Sequence, residues 1–385
     1  MICEGAAGRS ERRKTNPYAA LDENRAQIVG AQGRFKNSVV APVAEVTAAQ
    51  RLLDQCTSRL DGIQMTLRAR TFVTPAVAAL LSTFASASVV RSHPAGAAGP
   101  ALPVGAASRV LVVAPHPDDE TLAAGGLIQR LHAAGGALRV VFLTDGDGFP
   151  EGVKAEEGRE NVTASDYRAF GRERKDEARA ALHALGIHDD TATFLGFPDG
   201  GLSRMLTGYW SDRRPPYLSP YTRRNRPAKS ELLDADARFH GEDVTQELAT
   251  LIAAFRPTAI LTPRKEDQHV DHCAAWFFVA DALGDVTRVD TGYRADVLTY
   301  IVHFKSWPYE SELPALSGGA GWLRLRLTDR EMAQKREAIH KYKTQMKVMD
   351  WFLEAFVRRT EVFAQPPSPR VQLPLRRSPC DQFKS

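Results

Sequence analysis

Two short clusters hold the side chains that could do chemistry. The first is His116, Asp118, Asp119 and Glu120, which end the run RVLVVAPHPDDE (Arg109 to Glu120); the second is Asp267, His269, Asp271 and His272, in DQHVDH. Imidazole nitrogens and carboxylate oxygens in this mixture suit a divalent cation of borderline hardness, zinc being the common case. Taken singly, the first cluster reads better as a capped helix start, with Asp118 and Asp119 capping and His116 filling the turn. Two such clusters favour a metal, because each follows an apolar run and precedes a helix-like stretch.

The elements that must position them follow from patterning. Val110 to Val113 is a mostly β-branched apolar run, the signature of a strand buried on both faces of a parallel sheet. Thr121 to His132 is helix-like, so the acidic residues sit at a helix N-terminus, where negative charge is favoured. Ala259 to Leu261 gives a second strand before Asp267. Ala137 to Thr144, Thr191 to Leu195 and Val297 to His303 add three more, with helices predicted at Tyr167 to Leu185, Val244 to Phe255, Cys273 to Leu283 and Glu331 to Phe356. The alternation predicts an α/β fold, a Rossmann-like, mostly parallel sheet with helices on both faces. Its ligand crevice should lie outside the carboxyl ends of the strands, where both clusters fall.

On these residues the chain resembles the PIG-L/LmbE-like zinc-dependent de-N-acetylase family, whose signature is a strand ending in HPDDE and a later HxDH. Here these are His116-Pro117-Asp118-Asp119-Glu120 and His269-Val270-Asp271-His272, with Val270 where many relatives carry Pro. The likeness takes in Arg174-Lys175-Asp176-Glu177-Ala178, the run Phe194 to Gly201, and Lys335, Tyr342 and Gln345. Spacing leaves His269 and His272 equal as third ligand beside His116 and Asp119; the resemblance assigns His272. It implies Zn2+, with Fe2+ as the alternative in the cell, and Asp118 as general base for the attacking water. His269 in its protonated form would stabilise the oxyanion, oriented and charged by Asp271. Arg174 would reach substrate hydroxyls, and Asp199 would contact substrate or hold its turn. The implied reaction removes the N-acetyl group from an N-acetylglucosamine-containing glycoside or glycoconjugate.

Other classes fare worse. A catalytically weak, zinc-containing sugar-binding protein would not need Asp118. A nucleotide-binding α/β protein would show GxGxxG after a strand, and Gly125-Gly126 lies too deep in its helix to cradle a pyrophosphate. A two-metal phosphoesterase needs more ligands than these clusters supply. In 385 residues the net charge is only +4 and no nucleic-acid module is present, so no nucleic-acid partner is expected. Cys3, Cys56, Cys273 and Cys380 show no CxxC spacing, which points to neither a thiolate zinc site nor a disulfide scaffold.

The domain plan is asymmetric. Residues 1–64 are polar and mixed in charge, and read as an extension ahead of the true start at Met65. Residues 65–90 have a basic segment, an uncharged Ala-rich stretch and Ala85-Ser86-Ala87, the order of a secretory signal peptide or signal anchor. That predicts export, against a cytoplasmic alternative, with membrane contact only through this segment. Residues 91–107 read as a linker and 108–363 as a single deacetylase domain. Within it, 203–240 is an insert of interleaved aromatics and arginines that reads as a lid, and Phe149 to Asp166 as a mobile, irregular rim. Residues 364–385, rich in Pro and Arg, read as a disordered tail.

Overall fold

The computed structural model describes residues 102–383, apart from 229–232, 235, 311–312, 316–320 and 367–370. The expected extension, the signal segment and most of the linker therefore lie outside the described residues. No helix among the described residues is long and apolar enough to cross a membrane.

Five parallel strands form the central sheet: β1 (Arg109–Ala114), β2 (Ala137–Thr144), β3 (Ala192–Phe197), β4 (Ala259–Pro263) and β5 (Asp296–Tyr300). Their order is β3-β2-β1-β4-β5, all pairs parallel. The chain builds outward from β1 to one side through β2 and β3, then returns to build the other side through β4 and β5. The reversal lies between β1 and β4, and a crevice opens at such a switch point, outside the carboxyl ends of the two strands. His116 follows β1 and His272 follows β4, so the topology brings the two clusters to one place.

Alternation along β1 feeds two cores. Val110, Val112 and Ala114 pack with α1 (Asp119–Ala133), α3 (Ala164–Ala184) and two later helices, α7 (Asp329–Ile339) and α8 (Lys343–Glu354). Leu111 and Val113 pack on the other face with a short α4 (Leu202–Met205), α5 (Gly241–Phe255) and α6 (Val270–Val289). Every residue from Val110 to Ala114 is fully buried, as a central strand covered by helices on both faces requires. A two-stranded antiparallel ribbon, β6 (Leu323–Arg326) with β7 (Thr360–Phe363), has no counterpart in the sequence reading.

Several expectations need correction. The rim expected to be irregular contains α2 (Pro150–Glu157) and the start of α3. Its punctuation was in the sequence: Pro150 stands in the first turn, and Gly158 closes the helix at φ +63°. The single long helix expected from Glu331 to Phe356 is two helices, α7 and α8, because Tyr342 leaves helical geometry between them and turns into the core. The linker ends early, since Leu102 and Val104 already pack on the core. The insert, read as a lid, is anchored to the domain: Leu206 and Phe239 are buried, and Trp210 and Tyr217 pack against the same core.

The tail and the cysteines also depart from the reading. Residues 371–383 lie against the domain, with Leu373 and Cys380 buried. The Leu373 amide donates to Asp281 Oδ1 at 3.2 Å and the Leu375 amide to the Leu206 carbonyl at 2.9 Å. Cys380 forms a disulfide with Cys273 on α6. Composition read this segment as disordered because its Pro and Arg content hid two buried side chains. The disulfide left no local signal because its cysteines are 107 residues apart.

Candidate metal centre

The turn after β1 is unusual in its backbone. Asp118, the residue before α1, has φ +133°, a conformation costly for a side-chain-bearing residue and one that recurs where function demands it. The surroundings hold it there. Its carbonyl accepts from the amides of Thr121 and Leu122 at 3.0 and 2.9 Å, and its amide donates to Glu120 Oε2 at 3.2 Å. Glu120 is itself buried and takes the hydroxyls of Thr121 and Tyr342 on Oε1.

Arg174, buried on α3, completes the restraint. Its Nη2 donates to the Pro117 carbonyl at 2.6 Å and to Asp118 Oδ2 at 3.1 Å, and its Nη1 to the Gly146 carbonyl at 2.8 Å. Gly146 has φ +64°, and a Cβ there would lie 2.0 Å from Arg174 Nη1, so this position must be glycine for the guanidinium to enter. Glu177, also on α3, accepts from the amide and hydroxyl of Thr344.

Three donor atoms meet beneath this turn. His116 Nδ1 lies 3.4 Å from Asp119 Oδ2 and 3.2 Å from His272 Nε2, and His272 Nε2 lies 3.1 Å from the same Asp119 oxygen. Metal–ligand bonds of zinc at tetrahedral angles put ligand atoms about 3.3 Å apart. This triangle therefore fits one zinc-sized ion with a fourth position open. His269 and His303 stand close by, in the groupings His116/His269/His272 and Asp119/His272/His303, but those donors only share a 4.8 Å neighbourhood. The tighter triangle is the better ligand set.

Buried carboxylates back both imidazoles. His272 Nδ1 faces Asp267 Oδ2 at 3.3 Å. His116 Nε2 faces Asp199 Oδ1 at 3.2 Å and Asp271 Oδ2 at 3.5 Å. Backbone amides fix these acids in turn: Gly148 to Asp199, Gly200 and Leu202 to Asp271, Val302 and His303 to Asp267. Carboxylates behind metal-binding histidines orient the rings and raise their basicity.

The electrostatics point the same way. Burial alone would lower the pKa of His272, but Asp119 and Asp267 outweigh it and raise it to about 10. His116 is likewise raised against the cost of burial, chiefly by Asp199. Asp119 is held well below its usual value despite burial, first by His272 and then by hydrogen bonds from His116 and His272. The pocket thus stabilises positive charge at the triangle, which a divalent cation would supply. Asp118 behaves differently, since burial pushes its pKa up to about 7 and the nearby Arg174 only partly opposes this.

Not every role read from the sequence survives the geometry. Asp271 does not orient the His269 ring, because its carboxylate serves His116 and the Gly200 turn. What reaches His269 is the Asp271 backbone amide, which donates to His269 Nδ1 at 3.3 Å. Burial, and then His116 and His272, lower the His269 pKa well below 6.5, so the ring is neutral with Nδ1 as acceptor. Arg174 and Asp199 border the cleft, yet Arg174 Nη1 and Nη2 and both Asp199 oxygens are engaged, with Gly146, Pro117, Asp118, Gly148 and His116. Three contributors had been given no role. Asp267 and Tyr342 were noted without a function, and His303 was visible only as the last residue of a predicted strand.

The triangle opens into a cleft of about 370 Å³. Phe149 and Pro150 border it on one side, Gln345, Met349 and Phe352 of α8 on another, with His269, His303 and Tyr221 completing the wall. Tyr221 is the insert residue that reaches this cleft among the described residues, and it packs on Tyr167 at 5.3 Å.

Comparison with known proteins bears on the same segment. Residues 111–283 match the family model described as PIG-L: GlcNAc-PI de-N-acetylase. A 1D-myo-inositol 2-acetamido-2-deoxy-alpha-D-glucopyranoside deacetylase of Mycobacterium sp. (strain KMS) is 32% identical over 166 residues, 43% of this chain and 46% of the relative. A deacetylase of the same description from Saccharopolyspora erythraea is 29% identical over 220 residues, 54% of this chain and 66% of the relative. This chain thus spans about half to two thirds of the length of these relatives. Among solved structures, a conserved protein of Thermus thermophilus aligns at 22% identity over 69% of this chain and 97% of its own, with a TM-score of 0.43.

The donor triangle predicts one high-affinity zinc site per chain. In calorimetric titration of metal-stripped protein, His272→Ala should abolish it and Asp267→Asn should weaken it about 10- to 100-fold. Wild-type affinity in both variants would rule out this ligand set.

Proposed function

From the match of residues 111–283 to the PIG-L family model, we propose that this chain is a metal-dependent hydrolase that removes the N-acetyl group from an N-acetylglucosamine-containing glycoside or glycoconjugate. The observation that carries this reading is Asp118: a buried carboxylate, clamped by Arg174 at 3.1 Å and bordering the cleft directly beside the His116, Asp119 and His272 donors. A cleft of about 370 Å³ falls in the range of small-ligand sites.

His116, Asp119 and His272 would hold the metal. Bound there, zinc supplies Lewis acidity toward the amide carbonyl and makes water a better nucleophile near neutral pH. Asp118 takes the proton from the attacking water; its pKa near 7 suits a group that accepts a proton and later returns it. Arg174 keeps that carboxylate in place. His269, neutral and with Nδ1 committed to the Asp271 amide, has Nε2–H left to donate to the oxyanion that develops on the acetyl carbonyl. The neutral ring replaces the protonated one expected from sequence, since a cation nearby lowers its basicity further. The C–N bond breaks as Asp118 passes its proton to the leaving nitrogen, giving acetate and a free amino sugar.

The proposal extends to location. A disulfide persists in an oxidising compartment, so Cys273–Cys380 supports the export suggested by residues 65–90. Peptide mapping of the native protein should find Cys273 linked to Cys380 in a chain beginning after Ala87. A reduced chain beginning at Met1 and recovered from the cytosol would refute it.

For the chemistry, Asp118→Asn should keep one zinc per chain and lose about 10²- to 10⁴-fold in acetate release from N-acetylglucosaminides. Unchanged turnover in that variant would remove Asp118 as the base.

A further inference from the structure

Trp351 and Tyr309 are the aromatic side chains that the described residues leave most open to solvent, at 62% and 52% exposed. Their rings stack with centroids 5.6 Å apart and planes 21° from parallel, and the Tyr309 hydroxyl donates to the Trp351 carbonyl at 3.1 Å. The pair is therefore a held, flat surface rather than two isolated exposed rings. Large apolar area kept outside the core in this way marks a contact site more often than an accident of packing.

Its position is tied to the cleft. Trp351 meets Phe352 edge-on at 6.0 Å; Phe352 lies parallel to His303 at 5.3 Å, and His303 meets His272 at 4.9 Å. Phe352 and His303 both line the cleft, so the platform begins one ring contact outside its wall. Two exposed acids adjoin it in sequence, Glu310 and Asp350. Carboxylates accept hydrogen bonds from hydroxyls and repel phosphate, which favours a neutral polyhydroxyl ring over an anionic lipid headgroup. A flat aromatic face suits the C–H face of a pyranose.

We propose that Trp351 and Tyr309 form a second sugar subsite, stacking on a ring joined to the N-acetylglucosamine unit held in the cleft. The preferred substrate is then a glycoside of at least two rings. This rests on the deacetylase reading of the cleft, and the experiment separates the two.

Acetate release is measured from N-acetylglucosamine and from its β1,4-linked disaccharide. Trp351→Ala should lower kcat/KM for the disaccharide about tenfold more than for the monosaccharide, through KM, and Trp351→Phe should restore most of the difference. Equal effects on the two substrates, or none, would overturn the subsite. If wild type releases acetate from neither, the hydrolase reading fails and calorimetry of sugar binding decides the platform. A disaccharide advantage that disappears in Trp351→Ala upholds it, and equal affinities overturn it. Binding to phosphatidylglycerol vesicles that depends on Trp351, with sugar selectivity intact, would overturn it in favour of a membrane surface.

Discussion

Four buried carboxylates converge on two imidazoles, and the rest of the site is arranged around that concentration of negative charge. Asp119 faces both rings, Asp267 stands behind His272, and Asp199 and Asp271 stand behind His116. Taking such charges out of water is expensive unless something positive joins them. In the protein alone this appears as raised histidine pKa values; a divalent cation between the same atoms would answer the same demand. The backbone amides that hold Asp199, Asp267 and Asp271 keep the acids from relaxing toward solvent.

Asp118 is set apart by its backbone. At φ +133° its carboxylate leaves the metal triangle and meets Arg174 instead. Glu120, Thr121, Tyr342 and Gly146 all serve to keep that one residue in its strained place. Two adjacent aspartates thus acquire opposite tendencies: Asp119 stays ionised among histidines, and Asp118 is raised toward neutrality by burial. That difference is what lets one act as a ligand and its neighbour as a proton carrier.

The sheet was legible because its strands are apolar runs of ordinary length, and because both chemical clusters follow such runs directly. His116 and Asp119 lay in a local pattern of the same kind, a strand end followed by polar residues; that pattern left His269 and His272 level, and only the family resemblance pointed to His272. What escaped depended on contacts between distant segments. The disulfide joins cysteines 107 residues apart, the Asp271 carboxylate turns to His116 although His269 is nearer in sequence, and the break between α7 and α8 is fixed by where Tyr342 is buried. The C-terminal segment was misread because composition averages over Leu373 and Cys380, the residues that pin it.

The account stands or falls on which atoms grip the cation, and X-ray absorption at the zinc edge of the loaded protein measures this directly. Two imidazole nitrogens and carboxylate oxygen at about 2.0–2.2 Å, with one further oxygen ligand from solvent, is the predicted shell. A shell of three or four imidazoles, drawing in His269 or His303, or one containing sulfur, would contradict it.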